Sequence, residues 1–278
     1  MRSISCENSC VSDFSQYLSA FQQNVEIFRR NCAGDYNDFE SIIENIHDCW
    51  ARAGVERDQQ GRSSAGLLPF ANLLIRHAIF GFQHLASYQS FLAWSVFRPG
   101  LEAFLITGKF VDDPANATVW KNRNQDWKAY EKAFSRKNII SRSLPRSGEF
   151  QQVLKMLNDD FMHPNPEFTW RHMAARPATV RERVVLELHY FDRVKGQIHE
   201  ANVLAYVNLL NVIRQSSVLL TNQIFGERPE AATVSYADKN MARAAAMILR
   251  EPMTETILKL FGLWTVTGPQ HGHGGLSR

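Results

Sequence analysis

Arg98 and Glu102 form the first pair of side chains in this sequence whose spacing suggests chemistry. They lie four residues apart, so they share one face of a predicted helix, beside an apolar stripe that includes Phe97 and Leu101. An arginine there could stabilise negative charge on a phosphate. Charges so close to an apolar stripe are partly buried and need partners. We interpret the pair either as a salt bridge within its own helix or as a contact to the helix that ends near residue 162.

The second pair of interest is a histidine and the carboxylates that precede it in LNDDFMHPNPEF, residues 157–168. Asp159 and Asp160 stand four and three residues before His163, a distance at which a carboxylate can hold the ring and favour its protonated form. Such an imidazole could transfer protons near neutral pH. A histidine at a helix C-terminus also interacts favourably with the last carbonyls and the helix dipole. The sequence therefore leaves a catalytic and a structural role open.

The two motifs occur together as LAWSVFRPGLEAFLITGKFVDDP and, roughly fifty residues later, LNDDFMHPNPEF. This combination resembles an uncharacterised bacterial helical family allied to the HEPN superfamily, in which an Arg-x-x-x-Glu helix precedes a helix ending in His-Pro-Asn. The likeness covers about residues 67–168. It implies a helical bundle, often a homodimer. It also implies relatives that are metal-independent ribonucleases of toxin or phage-defence systems, with an Arg and a His as the active pair.

Carried over to this chain, the resemblance makes His163 the general acid or base of an RNA- or nucleotide-binding site. Asn158, five positions earlier, stands where the family motif has its arginine or the polar residue after it. No arginine occupies residues 149–162, so Arg98 would supply the positive charge. Asp159 or Asp160 would orient the histidine. Other Arg-to-His spacings in the chain occur no more often than its composition predicts by chance.

Two alternative functions do not require ribonuclease activity. In the first, the protein is a non-catalytic interaction or scaffold protein, and a buried network of Arg98, Glu102, Asn158 and His163 fixes the bundle. In the second, carboxylates three residues before a histidine, at 44–47 and 160–163, grip two metals between helices. Glu102 is a candidate further ligand, but the sequence offers no convincing fourth. We therefore predict no metal and no cofactor.

The composition is that of a soluble globular protein, since 45% of the 278 residues are hydrophobic and 21% are charged. A formal net charge of +3 permits RNA binding without indicating it. The start of the chain lacks the apolar run of a signal peptide, and no segment reaches about 18 uninterrupted apolar residues. We expect a cytoplasmic protein outside the membrane. The cysteines are confined to the first fifth of the chain, which favours reduced thiols over a disulfide framework: Cys6, Cys10, Cys32 and Cys49.

Apolar residues recur at helical spacing along most of the chain, which predicts an all-α, multi-helix bundle with a core of roughly six to eight helices. We expect one helical domain over residues 1–265, a HEPN-like core at about 67–225, and a disordered tail at 266–278. Residues 67–112 should form two buried helices with a bend near Ser87 to Ser90. Between 168 and 192 the pattern admits either a small β-hairpin or a short helix. Another helix should start in DDPANAT, with Asp113 or Asn116 as its cap, and reach about Lys137. Further predicted helices cover about 11–30, 39–54, 149–162, 196–225, 236–249 and 254–261.

Overall fold

The structure confirms the all-α class. The computed structural model describes residues 14–55, 64–141, 144, 146–161, 173–177, 184–188, 191–192, 197–225 and 243. Short 3-10 turns lie at Ser64–Leu67 and Arg136–Ile139. The α-helices of the described ranges are α1 (Phe14–Asn31), α2 (Ala33–Val55), α3 (Leu68–Ala86), α4 (Ser90–Asp112), α5 (Ala115–Lys121), α6 (Trp127–Phe134), α7 (Ser147–Met156) and α8 (Gln197–Phe225).

The apolar segment 67–112 folds as the predicted pair of buried helices, and the bend lies where it was expected. α3 and α4 run antiparallel and pack closely because glycines lie at their crossing points. A Cβ added to Gly81 would overlap the Tyr206 hydroxyl and come within 2.9 Å of Ala93 O. One added to Gly100 would come within 2.7 Å of the His77 Cβ. The two backbones therefore approach at a distance that a side chain would prevent.

The central helix of the structure is α8, which packs against α2, α3 and α4. Its residues 201–214 are all buried, so apolar and polar side chains alike face protein. Its window Ile198–Gln223 is long and apolar enough to cross a membrane by length and composition, and 83% of that window is buried inside the protein. The Tyr206 hydroxyl, for example, is enclosed and donates to Ala78 O at 2.8 Å.

The prediction of one helix from a cap at Asp113 or Asn116 to about Lys137 is wrong. The chain instead forms α5 and α6, with a turn over residues 122–125 between them. The cause is local: Asp126 accepts a hydrogen bond from the backbone N–H of Ala129 at 3.0 Å and caps the start of α6. An aromatic stripe at helical spacing does not reveal such an internal cap.

The helix predicted over 149–162 is present, but its end differs from an α-helix. α7 continues into a π-helical turn at Leu157–Phe161, named the π turn below. Beyond it, β1 (Met173–Pro177) and β2 (Val184–Leu188) pair in antiparallel fashion, with Met173 opposite Leu188. The described part of 168–192 is thus the small hairpin, one of the two predicted alternatives. His163, the helix predicted at 254–261 and the tail lie outside the described residues, as does the helix predicted at 236–249 apart from Arg243.

Candidate functional site

Arg98 and Glu102, named the rim pair below, form the predicted salt bridge within α4. Arg98 Nη2 lies 3.0 Å from Glu102 Oε1, and the two side chains are 25% and 37% exposed. Their i,i+4 spacing on one helix face accounts for the contact. The Arg98 Nε atom is buried and has no hydrogen-bond partner among the residues that the structure describes. The rim pair therefore satisfies one part of the guanidinium and leaves a buried donor without an acceptor.

The π turn packs against α4, the helix that carries the rim pair. The rings of Phe150 and Phe104 lie 5.6 Å apart, and Leu144, six residues before Phe150, lies beside Gly108, four residues after Phe104. The chain therefore runs antiparallel to α4. α7 and the π turn continue along α4 in this register at about 1.5 Å per residue, so the π turn lies level with Arg98. The described part of the second motif, residues 157–161, therefore lies beside the helix that carries the first motif. π-Helical turns are rare and are frequent at functional sites.

The polar residues of the π turn differ in exposure. Asn158 is half-buried, whereas Asp159 is exposed. The side chain of Asp160 and all of His163 lie outside the described residues, so their predicted roles stay predictions. None of the described members of the predicted network is fully buried, and Arg98 forms its salt bridge with Glu102. This part of the predicted network is a partly open surface and not an enclosed core.

Glu44 and His47, the first half of the di-metal hypothesis, face away from the bundle. Both are exposed on α2, and His47 Nδ1 lies 3.5 Å from the neighbouring Asp48 carboxylate. Ligands of a di-metal bundle must project inward from their helices. In the ranges that the structure describes, no group of three or more His, Cys, Asp or Glu side chains is placed to hold a metal ion. The exposed positions of Glu44 and His47 thus contradict the di-metal hypothesis at residues 44–47.

A second polar cluster, which the sequence did not predict, lies at the bend between α3 and α4. It consists of Ser90, Asp192 and His199 and is named the corner cluster below. Asp192 Oδ2 accepts hydrogen bonds from the Ser90 backbone N–H at 2.9 Å and from its hydroxyl at 2.6 Å. The Asp192 N–H in turn donates to Tyr88 O at 2.6 Å. Asp192 therefore caps α4 from a distant part of the chain, because Ser90 begins that helix without a local side-chain cap.

His199 completes the corner cluster from α8. Its Nδ1 lies 3.2 Å from Ser90 Oγ and 3.4 Å from Asp192 Oδ2, and its ring packs at 4.4 Å from that of Tyr88. Because the serine proton goes to Asp192, the imidazole carries its hydrogen on Nδ1. Its buried Nε2 has no hydrogen-bond partner.

A serine, a histidine and an aspartate in contact invite comparison with a hydrolase triad. In a triad the serine and the aspartate contact opposite nitrogens of the imidazole, so that a proton can pass from the serine to the ring. Here both oxygens lie at Nδ1, and Ser90 donates to the carboxylate. This geometry excludes Ser90 as an activated nucleophile, and we assign the corner cluster an architectural role.

The polar residues around the corner cluster are also paired. Tyr88 adopts a left-handed backbone, with φ of 63°, which turns the chain between the helices. His84 Nδ1 donates to Gln89 Oε1 at 2.9 Å, and Gln89 Nε2 donates to the Tyr17 hydroxyl at 2.8 Å. His77, on the same apolar helix, contacts Val96 O at 2.7 Å through Nδ1. These partners account for the two α3 histidines as parts of the core.

A third polar cluster links α2 to α8 through Arg243. Its guanidinium donates to Asp35 at 2.6 Å and to Glu200 at 2.8 Å. Although burial opposes the shift, the two carboxylates raise the pKa of Arg243 above its usual value. Burial also raises the pKa of the neighbouring Cys32 thiol, and Asp35 adds to that shift. Cys32 is therefore an unreactive thiol at neutral pH.

Comparison with known proteins adds no neighbour: no family model, no curated protein and no solved structure matches this chain. The assignment of the candidate site therefore depends on its geometry alone.

Sequence reasoning found Arg98 and Glu102 because both lie within one turn of one helix. It did not find Asp192 and His199, whose partner Ser90 is 102 and 109 residues away along the chain. Asp192 is the last residue of the segment predicted as a hairpin or a short helix, and no sequence spacing connects it to α4.

Proposed function

We propose that the rim pair and the π turn form a phosphate-binding surface for RNA or a nucleotide, in a HEPN-like protein of a toxin or phage-defence system. The observation that carries the proposal is the buried Arg98 Nε without an acceptor. A buried polar atom without a partner calls for an explanation, and a bound ligand is one. A phosphate offers several acceptor oxygens, and guanidinium groups recognise phosphates through paired N–H donors.

The exposure of the rim pair supports this function over a purely structural one. At 25% exposed, the Arg98 side chain can be reached by a ligand, while Glu102 holds its guanidinium in place from the next helical turn. The carboxylates of Glu102 and Asp159 repel phosphates, so we expect modest affinity with a strong dependence on salt. If the site is catalytic, His163 is the general acid or base of a metal-independent ribonuclease, and Asp159 or Asp160 orients it.

The first test measures binding of a fluorescently labelled single-stranded RNA by anisotropy at low and moderate salt. Arg98→Gln is compared with Arg76→Gln, which changes an exposed arginine of α3 whose guanidinium lies 5.9 Å from the Phe80 ring. Loss of one charged hydrogen-bonding group should weaken binding about tenfold for Arg98→Gln and reduce the salt slope by about one. Arg76→Gln should bind as the wild type does. Equal losses in the two variants would show that net charge alone governs binding.

The second test asks whether the site is catalytic. RNA cleavage and melting temperature are compared for wild type and His163→Ala. Lost cleavage at an unchanged melting temperature supports the site. No cleavage by either protein, together with a clear drop in melting temperature for the variant, supports the non-catalytic interaction protein in which His163 is structural.

A further inference from the structure

A buried arginine on α8 has no carboxylate partner within the described ranges of the chain. Arg214 is 4% exposed, and its Nε donates to Asn211 Oδ1 at 3.1 Å. Burial lowers the pKa of its guanidinium below the usual value. No aspartate or glutamate in the described part of the chain forms an ion pair with it. A neutral amide does not neutralise a buried charge, so the described residues supply no negative partner for Arg214.

The face of α8 that carries Arg214 is turned toward α2. Ser217 and Thr221 follow Arg214 by three and seven residues, so all three share one stripe of the helix. Thr221 Oγ1 lies 3.2 Å from Cys49 Sγ on α2. Burial raises the pKa of the Cys49 thiol, and Arg214 is close enough to oppose that shift. Arg214 and Cys49 therefore border the same part of the α2–α8 interface.

Two further donors, one on α8 and one on α2, have no acceptor among the described residues. Ser217 Oγ and Trp50 Nε1 are buried atoms, and Trp50 directly follows Cys49, the α2 residue that contacts Thr221. The indole N–H can only donate, and a serine hydroxyl can donate one hydrogen bond. A buried water could accept from one of them but could not neutralise Arg214. What the interface lacks is negative charge together with acceptor oxygens.

We propose that the α2–α8 interface binds a small oxyanion, with Arg214 as its counter-ion and with Ser217 and Trp50 as hydrogen-bond donors. Because the Arg214 side chain is almost completely enclosed, the bound group is no larger than a phosphate or a carboxylate. Free inorganic phosphate and a small carboxylic acid share this chemistry. The site is separate from the rim pair, since Arg98 lies on α4.

The test measures the melting temperature of the full chain, and the heat of binding, with phosphate, acetate or chloride at matched ionic strength. At about a hundredfold excess over Kd, the preferred oxyanion should raise the melting temperature by about 5 °C, whereas chloride should not. Arg214→Gln should abolish the increase. Ser217→Ala and Trp50→Phe keep the charge and should each weaken binding several-fold. Arg52→Gln, an exposed arginine of α2 near Cys49, should respond as the wild type does.

The variants also test whether Arg214 has a structural partner instead. Without added oxyanion, Arg214→Met should melt no lower than the wild type, because it removes a buried charge that has no counter-ion. A large decrease for Arg214→Met would overturn the proposal. So would equal stabilisation by chloride, an unchanged response in Arg214→Gln, or the absence of any response in the wild type. Failure of RNA binding at the rim pair would leave these outcomes unaffected.

Discussion

The corner cluster and the rim pair each join a carboxylate to a basic side chain, but they differ in burial and in how fully their polar atoms are paired. In the corner cluster, Ser90 and His199 are 6% and 5% exposed, and the carboxylate of Asp192 accepts two hydrogen bonds while it caps a helix. In the rim pair, Arg98 and Glu102 are 25% and 37% exposed, and a buried guanidinium nitrogen has no acceptor. The first region is closed by protein groups. The second holds a charged group that protein contacts only partly satisfy.

This difference separates architecture from a candidate binding surface. Buried polar groups in a folded protein are normally paired, and a partly satisfied group at an accessible position is where a ligand can add a contact. One atom of the corner cluster, His199 Nε2, also lacks a partner, but its ring packs against those of Phe28 and Tyr88. Two results would contradict this distinction. One is an unchanged free energy of unfolding after loss of the Asp192 carboxylate, and the other is a large contribution of the rim pair to that free energy.

Removal of the corner carboxylate should have the largest effect. Asp192→Ala leaves the N–H and the hydroxyl of Ser90 without an acceptor and removes the partner of His199. We expect the free energy of unfolding to fall by about 3 kcal/mol, because hydrogen bonds to a charged group are lost and buried donors stay unpaired. Denaturant unfolding followed by circular dichroism measures the change.

The matched control for this prediction is Asp126→Ala. Asp126 also accepts one backbone N–H at the start of a helix, but it is exposed and close to its partner in sequence. Its loss should decrease the free energy of unfolding by about 1 kcal/mol. An equal decrease in the free energy of unfolding for the two variants would mean that Asp192 is an ordinary helix cap. The corner cluster would then not stabilise the bend.

The fold was largely predictable because its signals are local. The length and apolar character of residues 67–112 required two buried helices, and their bend at Ser87 to Ser90 agrees with the observed start of α4 at Ser90. The split between α5 and α6 was missed because one aspartate, Asp126, interrupts an otherwise regular aromatic stripe. The corner cluster was missed for a different reason: its partners meet only after the bundle has assembled, so no sequence spacing encodes them.

Tyr206 provides a test of the core beside the bend at high pH. Tyr206→Phe removes the hydrogen bond to Ala78 O and should decrease the free energy of unfolding by about 1 kcal/mol at pH 8. Burial raises the pKa of this phenol well above its usual value, so its stabilising effect is fully present below about pH 10 and is lost as the pH rises further. Above pH 10 the wild type should therefore lose about 1.4 kcal/mol per pH unit relative to the variant. If the difference in free energy of unfolding between the wild type and Tyr206→Phe stayed constant up to pH 11, the raised pKa of Tyr206 would be contradicted.

Removal of the rim pair should have the smallest effect on stability. This result would distinguish the rim pair most clearly from the corner cluster. A double-mutant cycle with Arg98→Met and Glu102→Gln should give a coupling energy of about 0.5 kcal/mol, since partly exposed i,i+4 pairs contribute little. A coupling of 2 kcal/mol or more would instead support the scaffold alternative, in which this network fixes the bundle. Loss of the Nε donor should not destabilise the free protein, because Nε has no protein acceptor to lose. Arg98→Met should therefore lower phosphate or RNA affinity while denaturant unfolding stays nearly unchanged, a combination that a purely structural arginine would not produce.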